Sequence, residues 1–145
     1  MKKHISLFSL SLSLLLAIPT MAAENWHQWR GPESNGHSTA TNVPVKWTAD
    51  SVAWKTTIPG VGQSTPVMWG NRIFLTSASK DGNQRHVFCV DRTSGDILWQ
   101  QKAWEGEAEP THSMNNRASA TCVTDGERVI AFFGRGGLHC YDMDG

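Results

Sequence analysis

From Val52 onward, apolar residues come in short runs separated by turn-forming pairs, and the helical 3.6-residue periodicity is absent. The runs cover residues 52–58, 64–69, 72–77, 86–91, 96–101, 119–124, 128–133 and 138–141, and they predict strands. Between them stand Gly70-Asn71, Asp81-Gly82, Ser94-Gly95, Asp125-Gly126 and Gly136-Gly137. These pairs tolerate positive φ and favour tight hairpins, so the strands are expected to pair antiparallel. Ile73, Phe74 and Leu75 are apolar on consecutive positions, as are Val87 to Val90. Such strands need cover on both faces, which stacked sheets provide.

The chain also resembles itself. Residues 65–75 align with residues 121–131, pairing Gly70 with Gly126 and Arg72 with Arg128, and residues 87–91 align with residues 138–142, pairing Cys89 with Cys140. The period is roughly 50 to 56 residues, enough for four short strands per repeat and suited to a propeller blade. The second copy is read with a shorter loop before its third strand. Its final turn, Asp142 to Gly145, matches Asp91 to Gly95 with one residue fewer, and the fourth strand of that blade is not reached.

Asp91, Ser94, Gly95 and Trp99 carry the most informative spacing. Glycine permits a tight turn, Asp and Ser side chains hydrogen-bond turn amides, and a Trp four residues later packs between adjacent blades while its N–H finds an acceptor. An ordinary hairpin with a buried Trp satisfies the same physics. The spacing resembles the tryptophan-docking motif of propellers built from pyrroloquinoline-quinone (PQQ)-like repeats, with Asp142 and Gly145 as a partial second copy. A second resemblance runs through Trp26, Trp29, Arg30, Gly31, Pro32, Asn35, Gly36, Pro44, Trp47, Trp54, Pro59, Gly60 and Pro66. It is similar to the opening of exported PQQ-like propellers related to the BamB-type outer-membrane assembly proteins.

The resemblance implies an all-β fold: a β-propeller of four-stranded antiparallel blades. One blade is complete at about 64–102, part of a second lies at about 118–145, and Val52 to Ile58 is the closing strand of the last blade, with Trp54 standing where Trp99 stands in its own. Residues 24–51 form an N-terminal extension. An incomplete ring leaves edges and one blade face uncovered, so the remaining blades are expected to be needed for folding.

The N-terminus adds a location. Lys2 and Lys3 precede an uncharged apolar run from Ile5 to Ile18, followed by Pro19 and the small residues Ala22 and Ala23. Residues 1–23 read as a cleaved secretory signal. The run is short for a membrane anchor, which needs about 20 residues. Export to the periplasm or the cell exterior is therefore expected, without a lipid anchor, because no cysteine stands at the cut. Without Lys2 and Lys3 the chain has eleven basic and thirteen acidic residues, a balance that argues against nucleic-acid binding. Cys89, Cys122 and Cys140 show no metal or haem spacing. They read either as buried thiols or, in an oxidising compartment, as a Cys122–Cys140 bridge with Cys89 free.

Candidate chemistry is sparse. In the related quinoprotein dehydrogenases, PQQ and calcium sit on the propeller axis with a catalytic Asp, and adjacent cysteines commonly line the cofactor; no adjacent cysteines occur here. The Asp residues fall in turns, where backbone bonding explains them, and none has calcium-loop spacing. No catalytic, cofactor or metal residue is assigned. The connection from Ala103 to Arg117 is too long for a hairpin, and long loops often line a functional face. His112, Asn116 and Arg117 there either contact a protein, anion or carbohydrate partner or brace the chain by hydrogen bonds. Two functions follow: a non-catalytic exported binding or scaffold propeller with no cofactor required by this segment, or the N-terminal part of a PQQ-dependent alcohol or sugar dehydrogenase using PQQ and calcium.

Overall fold

A computed structural model describes residues 25–41 and 43–145. The expected signal, residues 1–23, lies outside the described residues. Seven strands make two antiparallel sheets: β1 (Val67–Trp69), β2 (Arg72–Ala78), β3 (Gln84–Asp91) and β4 (Ile97–Glu105) in one, and β5 (Val123–Thr124), β6 (Arg128–Phe132) and β7 (Leu138–Asp142) in the other. Each sheet is a meander in chain order, so one four-stranded propeller blade is followed by three strands of the next. The only helical segments among the described residues are short 3-10 turns at Ala49–Ser51 and Gly134–Gly136.

The sheets stack face to face, and the period-2 alternation of each strand decides what lies between them. Phe74 and Ala78 of β2, Val87 and Cys89 of β3, and Val67 of β1 meet Cys122, Val129, Ala131 and Phe133 in one buried cluster, with Trp99 and Tyr141 packed against it. A Val or Phe side chain buried this fully contributes about 1.5–3 kcal/mol. Val87 to Val90 are all buried, as expected of a strand covered on both faces. The opposite face of the first blade receives residues 52–58, of which Trp54, Thr56 and Ile58 are half-buried and the intervening residues exposed. This segment pairs with no strand among the described residues; as the closing strand of the last blade, its expected partners are the other strands of that blade. The alternation is that of a strand; the hydrogen-bonding neighbour is what it lacks.

Three local differences from the sequence reading have physical causes. The tips before the third strands have the same span in both blades, residues 79–83 and 133–137; the strands beside them are shorter in the second blade, not the loop. β4 extends to Glu105, because β3 starts at Gln84 and a register shift at Arg85/His86 keeps the pairing going to Gln84↔Glu105. Cys122 points into the core and Cys140 is exposed, so the Cys122–Cys140 bridge does not form and all three thiols are free.

The first residues of the extension are tied to the blades. Trp26 bridges to Met68 of β1, whose N–H donates to the Trp26 carbonyl at 2.8 Å, and Gly70 N–H donates to Asn25 Oδ1 at 2.9 Å. Thr124 N–H of β5 donates to the His27 carbonyl at 3.0 Å. Further along, Val45 and Trp47 are exposed at 90% and 73%.

Candidate functional site

The residues of the Asp91–Trp99 spacing divide between two contacts. Asp91 Oδ1 accepts the N–H groups of Thr93 and Ser94, each at 2.8 Å, and Oδ2 accepts from Asn71 Nδ2 at 2.7 Å. The Ser94 and Thr93 amides hold the Asp91 carboxyl below the usual carboxylate range. Gly95 closes the turn at φ +80, where a Cβ would also lie 2.6 Å from Trp54 Cδ2, so only glycine fits. The turn thus formed receives Trp54: its indole N–H donates to the Arg92 carbonyl at 2.9 Å, and the Thr56 hydroxyl donates to the Gly95 carbonyl.

Trp99 makes the same contact one blade on. Its indole N–H donates to the Met143 carbonyl at 3.0 Å, Gly145 lies against its ring, and Gln101 Nε2, two residues along as Thr56 is from Trp54, donates to the Gly145 carbonyl at 2.8 Å. Asp142 Oδ1 accepts from Asp144 N–H at 2.8 Å, as Asp91 accepts within its own turn. Arg72 adds a clamp from the first blade, donating to the Met143 carbonyl and to Asp144 Oδ1, the latter at 2.6 Å. Each Asp-turn is therefore a socket for a Trp from an earlier part of the chain, Trp54 for the Asp91 turn and Trp99 of β4 for the Asp142 turn, and the ring of Trp99 is shared with Phe74 and Tyr141 at 5.9 and 6.0 Å.

The connecting loop is anchored from below. Arg85 on β3 is fully buried, donates to Glu109 Oε2 and to the Phe133 carbonyl of the second blade, and lies 4.2 Å from the centre of the Trp104 ring. The Arg85 hydrogen bond holds the Glu109 carboxyl below its ordinary range. Gly136, half-buried, has Arg85 Nη1 3.2 Å from where its Cβ would be, so a larger residue there would press on the guanidinium. Gln63 ties down the other end: its Nε2 donates to the Met114 carbonyl at 3.0 Å, and its Oε1 accepts from Asn116 N–H at 3.2 Å and Ser119 Oγ at 3.1 Å.

Of the loop residues singled out by sequence, Asn116 Oδ1 accepts from Ala118 N–H at 2.8 Å and Arg117 donates to the Glu109 carbonyl at 2.7 Å. Arg117 Nε is buried over Gly82 without a partner. His112 is exposed and its Nδ1 accepts from Met114 N–H at 3.2 Å. Asn116 and Arg117, with Glu109 and Phe132, line a cavity of about 150 Å³, whereas His112 does not reach it. Sequence reading overlooked Arg85 and Gln63. Arg85 stands between Gln84 and His86 at the polar start of β3, before the predicted run, so nothing local marks it or Gln63.

A larger cavity, about 440 Å³, lies between the N-terminal residues His27 and Gln28, Trp69, and the Val123, Asp125, Arg128 and Ile130 edge of the second blade. The His27 ring meets Trp69 edge-on at 6.0 Å. Asp125 Oδ1 is engaged by the N–H groups of Glu127 and Arg128 at 2.9 and 2.7 Å, which lowers its pKa. Among the described residues no three His, Cys, Asp or Glu side chains group as metal ligands. Among them, too, no helix is long and apolar enough to cross a membrane.

Comparison with known proteins adds a family. No curated protein and no solved structure matches the chain significantly. Residues 38–145 match the family described as outer membrane protein assembly factor BamB, a PQQ-like repeat family. The match spans most of the chain, including both sheets and both Asp-turns, and agrees with the stacked four-stranded architecture. The chain belongs to the BamB-like family of PQQ-repeat β-propellers.

Proposed function

We propose that the protein is an exported, non-catalytic propeller that works as a binding or scaffold module through the loop between its first two blades. The observation that carries this reading is the bracing of that loop: Arg85 and Gln63 fix its two ends, and Thr111 to Asn115 are all exposed between them, with Met114 at 76%. A loop held in one conformation loses little further entropy when it meets a partner, which favours recognition of a protein or carbohydrate surface. The family's description as an assembly factor supports a scaffolding role, and the Lys2–Ala23 pattern supports export.

Within this reading the Trp54 and Trp99 contacts are tryptophan docking between consecutive blades, and residues 52–58 close the last blade. Val123, Phe132 and Leu138 are exposed on the outer face of the second blade, at 38%, 51% and 67%, and await a further blade. Cys140 on that face provides a simple check: it reacts with a thiol reagent in the 145-residue chain and is protected when further blades follow.

The functional test has two arms. A photo-crosslinker at Met114 in cells captures a discrete partner, and replacing residues 111–113 and 115 with Gly and Ser, with the crosslinker kept at 114, abolishes capture while leaving the melting temperature unchanged. Reconstitution of the protein with PQQ and calcium yields neither retained quinone nor dye-linked oxidation of alcohols or sugars. Turnover in that assay would establish the dehydrogenase instead, and capture indifferent to the loop would remove the binding face assigned here.

A further inference from the structure

The β1 and β5 edges of the two blades are covered in a way that blade stacking does not require. β1 and β5 are the first strands of their blades, with β2 and β6 on one side only, so each has an edge with unpaired backbone groups. In β1 the hairpin closes at Trp69↔Arg72, and antiparallel alternation then turns the Met68 N–H away from β2 toward that edge. Thr124 holds the same place in β5, and Met68 and Thr124 are equivalent positions of the internal repeat. The acceptors for these two amides are consecutive carbonyls of one segment, Trp26 for Met68 at 2.8 Å and His27 for Thr124 at 3.0 Å.

The segment is shaped for this. Asn25 Oδ1 receives Gly70 N–H at 2.9 Å, so the contact with the first blade is doubled. His27 sets its ring edge against Trp69, whose own ring lies over Gly126 of the second blade. Beyond it the chain folds back: Gln28 Nε2 donates to the Gly31 and Pro32 carbonyls, each at 3.2 Å, and Gly31, at φ +77, leaves room for the Trp26 ring.

We propose that Asn25 to Gln28 form an edge clasp, an internal strand-like arm that reads equivalent amides of two successive blades and seals their free β1 and β5 edges. The clasp also fixes the first two blades to each other at their β1 and β5 edges, while the Trp99 socket fixes them at the Asp142 turn. This inference rests on those two edges and does not depend on the binding role of the loop.

Hydrogen exchange on the mature protein, with fragmentation fine enough to resolve single amides, tests the clasp. Two variants are compared with the wild type: one lacking residues 25–31, and Asn25→Ala, which removes only the acceptor for Gly70. Met68, Gly70 and Thr124 amides are protected in the wild type. In the deletion variant exchange at these three rises about tenfold, while Val87 to Val90 in β3 keep their rates. In Asn25→Ala the rise is confined to Gly70. Unprotected Met68 and Thr124 amides in the wild type would overturn the proposal, as would unchanged rates in the deletion variant or an equal rise at β3.

Discussion

Replacing Arg85 with Ala removes the one buried charge that joins the first blade, the connecting loop and the second blade. Arg85 has no exposed side-chain surface, and its partner Glu109 retains 29%. Breaking a buried ion pair from one side costs about 3–5 kcal/mol, and the partial exposure of Glu109, which lets water reach its carboxylate, puts this case at the lower end. The Phe133 carbonyl loses its charged donor, at about 1–3 kcal/mol, and Trp104 loses a stacked cation, at roughly 1 kcal/mol. These losses overlap, and a total of about 3–4 kcal/mol is expected for Arg85→Ala. Arg85→Lys keeps the charge but supplies a point donor in place of a fork, so it serves Glu109 or the Phe133 carbonyl and loses about 1.5 kcal/mol. Urea unfolding of the mature protein measures both, with hydrogen exchange reporting the release of residues 106–117. An Arg85→Ala variant within about 0.5 kcal/mol of the wild type, the range of an ordinary surface substitution, would refute the buried-staple account.

The other predictions concern the turns and the thiols. Trp99→Phe keeps an aromatic ring but loses the bond to the Met143 carbonyl and part of the indole's contact, so it destabilises by about 1–2 kcal/mol, against about 3–5 kcal/mol for Trp99→Ala. A Trp99→Phe variant as stable as the wild type in denaturant titrations would show that the N–H contact is irrelevant. Asp81, Asp91 and Asp125 all have folded pKa values below their ordinary ones, so their contribution to stability is complete above about pH 4 and disappears as pH falls through the lowered values. Melting temperature should therefore drop on acidification, and the drop should shrink in Asp91→Asn; an unchanged acid limb in that variant would refute the assignment. Burial pushes the Cys89 and Cys122 thiols up to about 11 and about 12, so neither reacts with a disulfide reagent at pH 8 until denaturant is added. Rapid labelling of either in the native protein would show that the interface between the blades opens.

Much of the architecture was legible in residue order because strands and hairpins obey local rules. Alternation and paired turn residues located all seven strands to within a few positions, and Gly70, Gly82, Gly95, Gly126 and Gly137 each take positive φ where a turn pair was read. The repeat was visible because each blade must solve the same packing problem. The site was less legible. Asp91 and Trp99 stand close in sequence, yet the Asp91 turn serves Trp54 and Trp99 serves the turn at Asp142. That exchange links residues 38 and 44 positions apart, and no spacing rule within one motif contains it.

By itself, then, the sequence determined the antiparallel strands, their turns, the blade period and the family, because φ preferences and side-chain alternation act over a few residues. Tertiary structure alone decided which partner each group meets. Arg85 is a staple because Glu109 and the Phe133 carbonyl converge on it. Residues 52–58 alternate like a strand, but their pairing depends on a neighbour's hydrogen bonds and not on their own pattern. Trp26 and His27 become a clasp only when two stacked blades bring equivalent amides, 56 residues apart in the chain, against two successive carbonyls.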